Sequence, residues 1–344
     1  MARPRAISWD WGEALRGAVC ATPGAALLLL VSVDPGIVFA IGVLPVALMG
    51  ALPSRKQRLQ ALALGVAFAA TYLLGSVLSQ VPTVAVVAMF GVAYGAVVLT
   101  GRRPIGRVVL GVVLPALAVG LSADPAAGLV VASSMLVGAA WATAVATFWP
   151  SRAANAGRPP LAPEGRRAQS YGLLLASTVS IALALGYAFD LGHLGWAPAA
   201  VVFVMRPQRN LLTARGAGRV LATLAGVVFA WLVVRQEPSE LLLAAAVVGT
   251  VAAVLATRAS RWYVTPAGTV TFVMLLVGTT MPDMLAYTLT ERLRDTLLGM
   301  GLGLRLRRRG AVHAREVHKR RRVVRKGSRA SELAPGAPAA ARGR

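Results

Sequence analysis

Met205–Trp231 reads MRPQRNLLTARGAGRVLATLAGVVFAW and decides the fold: four arginines crowd its first half and an uncharged apolar run follows. At the junction stands Arg219-Val-Leu-Ala-Thr223-Leu-Ala-Gly226, and the same R-x3-T-x2-G spacing returns at Arg292-Leu-Arg-Asp-Thr296-Leu-Leu-Gly299. Positions i, i+4 and i+7 of a helix share one face. Each copy therefore stacks a cation at a membrane edge, a hydroxyl one turn deeper and a small close-packing residue below it. Such a face is built to touch another helix or a solute.

The composition around this stretch is that of a membrane protein. Of 344 residues 56% are hydrophobic and only 14% charged, and the mean hydropathy is +0.66, values outside the soluble globular range. A bilayer core takes about 20 apolar residues per helix, and the chain offers one such run after another. The runs do not alternate as β-barrel strands would, so the expected class is all-α, a polytopic integral membrane protein. A single cysteine, Cys20, excludes a disulfide framework and a cysteine metal site, and His193, His313 and His318 are scattered without ligand spacing. No soluble catalytic domain fits between the runs and no GxxxxGK[ST] is present, so neither an enzyme nor a cofactor or metal is expected.

The net charge of +23 is carried by the loops and by the end of the chain, where residues 305–344 hold fourteen of the 36 basic residues and two of the thirteen acids. That is the positive-inside distribution of a membrane protein, not a nucleic-acid groove.

Taken in order, a short polar start with Trp9 and Trp11 precedes runs at about 17–33, 35–53, 59–79, 81–101, 108–123 and 125–149. Residues 151–169 are rich in Pro, Gly and Arg and read as a cytosolic linker. A second set follows at about 170–189, 191–205, 220–234, 241–257, 262–282 and 296–304. The expected organisation is thus a six-helix half over 1–150, the linker 151–169, a second membrane half over 170–304 and a basic tail over 305–344. About 11–12 transmembrane helices result, the last apparently truncated. Arg58…Gly65 echoes Arg219…Gly226, Pro45 and Pro198 interrupt spans two and eight, and Pro115 and Pro266 interrupt spans five and eleven. Broken helices at matching positions mark the site in transporters built from repeats; Gly and Pro are also simply common in membrane helices.

Loop charges set the orientation. Arg55, Lys56 and Arg58, then Arg102, Arg103 and Arg107, then the linker arginines, then Arg206 to Arg219, then Arg258 and Arg261 alternate with loops that carry Asp34, Asp124, Asp190, Glu237, Glu240 and Asp283. The basic loops and the N-terminus are expected in the cytoplasm. In a Cys20→Ala background, a cysteine at position 158 is expected to react with an impermeant maleimide only from the inside; labelling from outside would overturn this orientation.

The candidate site residues carry two readings each. Arg219 at a helix start attracts an anion or anchors the topology by snorkelling; Arg206 is a weaker version of the same. Thr223 and Thr296 donate to a substrate carboxylate or across a helix pair, and Gly226 and Gly299 let backbones approach. Arg292 and Asp295, three apart, can pair, while Glu291 and Arg294 form a second pair read as a solvated patch. No carboxylate lies inside any apolar run, so the buried acid of many proton-coupled carriers is not expected. Span parity puts Arg219 on the inner side and Arg292 on the outer, so a shared chamber requires an additional half-helix within 235–282.

The run Trp196 to Pro207, then Arg219 to Gly226, Val264-Thr265-Pro266 and Arg292 to Gly299 resemble the FUSC family, the fusaric acid resistance protein-like or aromatic acid exporter proteins of the inner membrane. The resemblance covers about 190–300 closely and 1–150 only in helix rhythm and basic loops. It departs at Ala222, where the family usually has Gly, and in the short linker. It implies two six-helix halves, efflux of small aromatic or related organic acids, and a multi-pass place in the bacterial plasma (inner) membrane. The partners it implies are the lipid bilayer, a small organic anion as substrate and, in a homo-oligomer, further copies of the chain; nucleic acid is not among them. A major-facilitator-type carrier and a non-transport membrane scaffold or accessory protein remain as alternatives.

After Leu304 the chain becomes RLRRRGAVHAREVHKRRRVVRKGSRASELAPGAPAAARGR. The apolar run from Thr296 reaches only about 14 Å, so the twelfth helix reads as cut in half. A tail of this composition is what a shifted frame in a GC-rich gene encodes, or else a basic segment on anionic lipid with a disordered end.

Overall fold

The computed structural model describes residues 8–50, 52, 54–102, 106, 109–150, 165–205, 212–258, 260, 264–280, 286–303 and 305. Helices form where the apolar runs lie, and no strand occurs among the described residues. In chain order they are α1 (Trp11–Leu30), α2 (Val33–Ala47), α3 (Arg55–Leu78), α4 (Pro82–Arg102), α5 (Leu114–Gly120, entered through a π turn at Val109–Val113), α6 (Pro125–Phe148), α7 (Gly165–Ala188), α8 (Trp196–Val204), α9 (Leu212–Val234), α10 (Glu240–Ala256), α11 (Val264–Thr280) and α12 (286–303). Polar caps start several of them: Asp10 accepts from Gly12 and Glu13, Ser54 from Gln57, and Asp124 from Ala126 and Ala127. The acids read as outer-loop markers thus include a helix cap, Asp124.

Six stretches are long and apolar enough to cross a bilayer: Trp11–Leu30, Arg55–Leu78, Pro82–Thr100, Pro125–Phe148, Ala168–Ala188 and Gly216–Val234. Their outward faces carry Leu30, Val87, Val130 and Phe148 exposed, as lipid-facing surfaces do. The Pro-interrupted α2, α5 and α8 are shorter. Pro198 sits in the first turn of α8, where no amide is lost, while Pro115 follows directly on the π turn that leads into α5.

The short helices are the cores of the two halves. Nearly all of α2 is buried, among side chains of α1, α3, α6, α10 and α11. In α8 every residue but Phe203 is buried, among α4, α5, α7, α9 and α12. Each helix of the first half has its counterpart six helices later. Thus α3 packs on α5 and α9 on α11, while α1 lies on α10 and α7 on α4.

The correspondence reaches single atoms. A Cβ on Gly138 of α6 would run into the carbonyl oxygen of Phe39 and the amide of Val43 on α2; one on Gly299 of α12 would meet the carbonyl oxygen of Ala197 and the amide of Val201 on α8. The side chain that seals the end of each short helix comes from the first helix of the half: Arg16 donates to the Ala47 carbonyl (2.6 Å) and the Tyr171 hydroxyl to the Met205 carbonyl. Arg58 and Arg219, Gly65 and Gly226, and Gly138 and Gly299 are all 161 residues apart. The same order of helices thus occurs twice along the chain.

Three expectations change. The last helix is not half a helix: residues 286–303 are helical, about 27 Å at 1.5 Å per residue. An apolar-run count ends it at Thr296 because Glu291, Arg292 and Asp295 precede, yet these continue the buried stripe of Thr288, Thr296 and Gly299 at helical spacing. Charged residues are also buried inside the helical bundle, Glu13, Arg16, Arg58, Arg219, Glu291, Arg292 and Asp295 among them. Finally, residues 165–169 of the expected linker are already the start of α7; the rest of the linker and the tail beyond Arg305 lie outside the described residues.

Candidate functional site

The site is organised on one face of α8. Trp196 opens this helix and Phe203 stands seven residues on, so the rings share a face, two turns and about 10 Å apart. Each ring carries an arginine from a different helix: the guanidinium of Arg219 (α9) lies 4.5 Å from the Phe203 centroid and that of Arg292 (α12) 4.6 Å from the Trp196 centroid. Both cations are buried, where a cation over a ring is worth about 2 kcal/mol or more. The snorkelling anchor expected as one reading of Arg219 does not hold, since its side chain is turned inward onto Phe203.

The two motif copies therefore meet on α8. Because α8 is short, arginines from α9 and α12 reach its two ends, without the additional half-helix that a shared chamber was expected to require within 235–282. The motif glycines have different neighbours: Gly226 lies against α11, at the Ala267 carbonyl and the Thr271 amide, and Gly299 against α8. Either position, occupied by a larger residue, would separate the helices.

The threonines also diverge. Thr296 donates to the Arg292 carbonyl in its own helix (2.8 Å), neither across a helix pair nor toward a solute. Thr223 is fully buried and its hydroxyl has no hydrogen-bond partner.

A second group sits at the Trp196 end. His193, in the connection between α7 and α8, stacks on the Trp196 ring (3.8 Å between centroids, 13° between planes), and its Nδ1 is 2.6 Å from Glu291 Oε2. Glu291 is buried and paired with His193, which replaces the solvated Glu291–Arg294 patch expected from spacing; Arg294 is exposed. Asp295, one turn further along α12, is completely buried, and neither of its carboxylate oxygens has a hydrogen-bond partner. The expected pair of Arg292 with Asp295 does not form, because Arg292 turns onto Trp196. Arg206 lies outside the described residues.

This chemistry belongs to the second half alone. With Phe39 and Val43 matched to Ala197 and Val201, the first half has Val38 in place of Trp196 and Pro45 in place of Phe203. Val130, Val131 and Ser134 stand where Glu291, Arg292 and Asp295 stand. Arg58, the counterpart of Arg219, donates to the carbonyls of Leu52, Ala146, Thr147 and Trp149, so it seals the end of α6. The repeat keeps the scaffold twice and the aromatic and acidic groups once.

Residues 181–305, from mid-α7 through α12, match the family model described as fusaric acid resistance protein-like. Over this segment the chain is similar to that family. No curated protein and no solved structure matches the chain. The fusaric acid resistance protein-like segment contains every residue of the α8 site, including both arginines, both rings and the two acids of α12. Among the described residues no group of three or more His, Cys, Asp or Glu side chains could hold a metal ion.

Sequence reasoning missed His193, Phe203 and Glu291 as members of the site. The signal for Phe203 was available in its seven-residue spacing from Trp196; Glu291 is one turn before Asp295, in register with the motif it precedes.

Proposed function

We propose that the protein carries small aromatic or related organic acids across the bacterial inner membrane, outward, with Arg219 and Arg292 as the groups that receive the carboxylate, the half-buried Phe203 as the surface that receives the ring, and Trp196 as the support that positions Arg292. The observation that carries this reading is the pair of arginine–aromatic contacts on one face of α8. A guanidinium offers a carboxylate two parallel donors, and a neighbouring ring offers an aromatic solute a stacking partner at no charge penalty. The buried hydroxyl of Thr223, one turn deeper than Arg219 on α9, supplies a donor that has no partner within the protein. The description of the matched family as resistance proteins supports the outward direction.

The test is efflux of radiolabelled benzoate and fusaric acid from cells and from vesicles. Arg219→Ala is expected to lower efflux about tenfold or more, the worth of one charge-assisted contact of about 1.5–3 kcal/mol, whereas Arg209→Ala leaves it near the unaltered level. Equal behaviour of the two variants at matched expression would reduce Arg219 to a structural cation.

A further inference from the structure

The acids of α12 are not needed to receive an anion, and two negative charges beside a cationic site oppose it. Their arrangement has a direction. His193 is partly exposed, with 26% of its side chain accessible, and shares a 2.6 Å contact with Glu291, which is 4% exposed. Glu291 Oε1 is buried without a hydrogen-bond partner, and Asp295 follows at i+4, where side chains on one helix face are neighbours. At the inner end of this series both oxygens of Asp295 are buried and unpartnered. The charged groups around Asp295 are Glu291, Arg292 and Arg294 of its own helix. The packed α8 contributes Trp196 and no titratable group, and the α7–α8 connection contributes His193, which reaches Glu291.

We propose that His193, Glu291 and Asp295 form a proton path, and that protonation of Asp295 arms the Arg292 site for an organic anion. This deepens the organic-acid reading and rests on it. The proton balance is simple. An imidazolium N–H of His193 passes its proton to Glu291 Oε2, Glu291 passes one from Oε1 to Asp295, and His193 is recharged from water; only N–H and O–H bonds break and form. While Asp295 is ionised, its charge three residues from Arg292 offsets the guanidinium and repels an incoming carboxylate. Once Asp295 is neutral, Arg292 is left with an uncompensated positive charge and a buried environment that strengthens its attraction. Binding of the anion and binding of the proton therefore favour each other, as linkage requires. The sign follows: affinity is highest at low pH, where Asp295 is protonated, and falls as pH rises through its titration.

The experiment measures equilibrium binding of radiolabelled benzoate to the full-length protein in lipid nanodiscs from about pH 5 to about pH 8. The wild type is expected to lose affinity by up to about tenfold per pH unit above the Asp295 titration, the slope of one linked proton. Asp295→Asn, uncharged and of the same size, is expected to bind tightly at every pH with that slope gone, and Asp295→Glu to keep a slope. His193→Gln is expected to leave the equilibrium slope in place and to slow the response to a pH jump about tenfold or more. A slope that survives in Asp295→Asn overturns the proton-linked site while leaving the organic-acid reading intact. Failure of the wild type to bind benzoate at any pH overturns that reading and this inference together.

Discussion

Replacing Arg58 with alanine is expected to destabilise the protein by about 3–5 kcal/mol, taking hydrogen bonds from a charged donor at about 1.5–3 kcal/mol each and allowing for their non-additivity. This side chain, buried at the start of α3, donates from Nε to Leu52 (2.6 Å) and from Nη1 to Ala146 (2.7 Å), Thr147 (3.1 Å) and Trp149 (2.8 Å). The last three acceptors are carbonyls at the end of α6, which lack partners within that helix and face a positive charge favourably. Alanine leaves them unpaired where water is scarce. Lysine is expected to recover only part of the loss, since an ammonium on a flexible stem cannot address the Leu52 and α6 carbonyls from two sides as the planar fork does. Thermal unfolding of the detergent-purified chain, followed by size exclusion, measures the difference. A midpoint unchanged in Arg58→Ala would show that these carbonyls find other donors.

The second large effect is at Trp196. Its ring is 3% exposed and is covered by His193 and by the Arg292 guanidinium. Trp196→Ala removes the surface on which both rest, and a large-to-small change at such a site costs about 3–5 kcal/mol. Efflux is expected to fall below detection with it, because Arg292 loses the ring that fixes its position. Trp196→Phe keeps an aromatic face and is expected to retain measurable folded protein and flux. Phe203→Ala, on a ring that is not fully buried, is expected to cost less stability than Trp196→Ala. Equal tolerance of alanine at the two positions would separate Trp196 from the site.

Hydropathy located the helices, and of the four prolines read as interruptions Pro45, Pro115 and Pro198 fall in the short helices α2, α5 and α8, while Pro266 falls in the first turn of the 17-residue α11. The repeat was visible in Arg58…Gly65 against Arg219…Gly226 because the backbone contacts that need a small residue leave few alternatives. The roles of those two arginines were not visible. The same residue at the same step of the motif seals a helix end in one half and lies on a ring in the other, and only the neighbouring helix decides which. Counting apolar residues also hid the burial of Glu291, Arg292 and Asp295, since it leaves them outside the last helix. In the folded protein a stacked ring and a histidine partner let two of them stay inside, so the helix continues through them.

The exchange of helices between the halves bears on how the chain is made. Helix α4 packs mainly against α7, and α1 against α10 as well as α2. On the cytoplasmic side expected from the loop charges, Asp10 donates to the Ala256 carbonyl (3.1 Å), Ser8 to Ser260 (2.9 Å) and Arg258 to Glu13 (3.2 Å). During synthesis α1 emerges nine helices before its principal neighbour α10, and α4 three helices before α7. The buried Glu13 and Arg16 must meanwhile rest in an unfinished bundle, neutralised by each other across one helical turn (2.6 Å). That ion pair is local to α1, so the two charges compensate each other before the segment that completes their surroundings has left the ribosome.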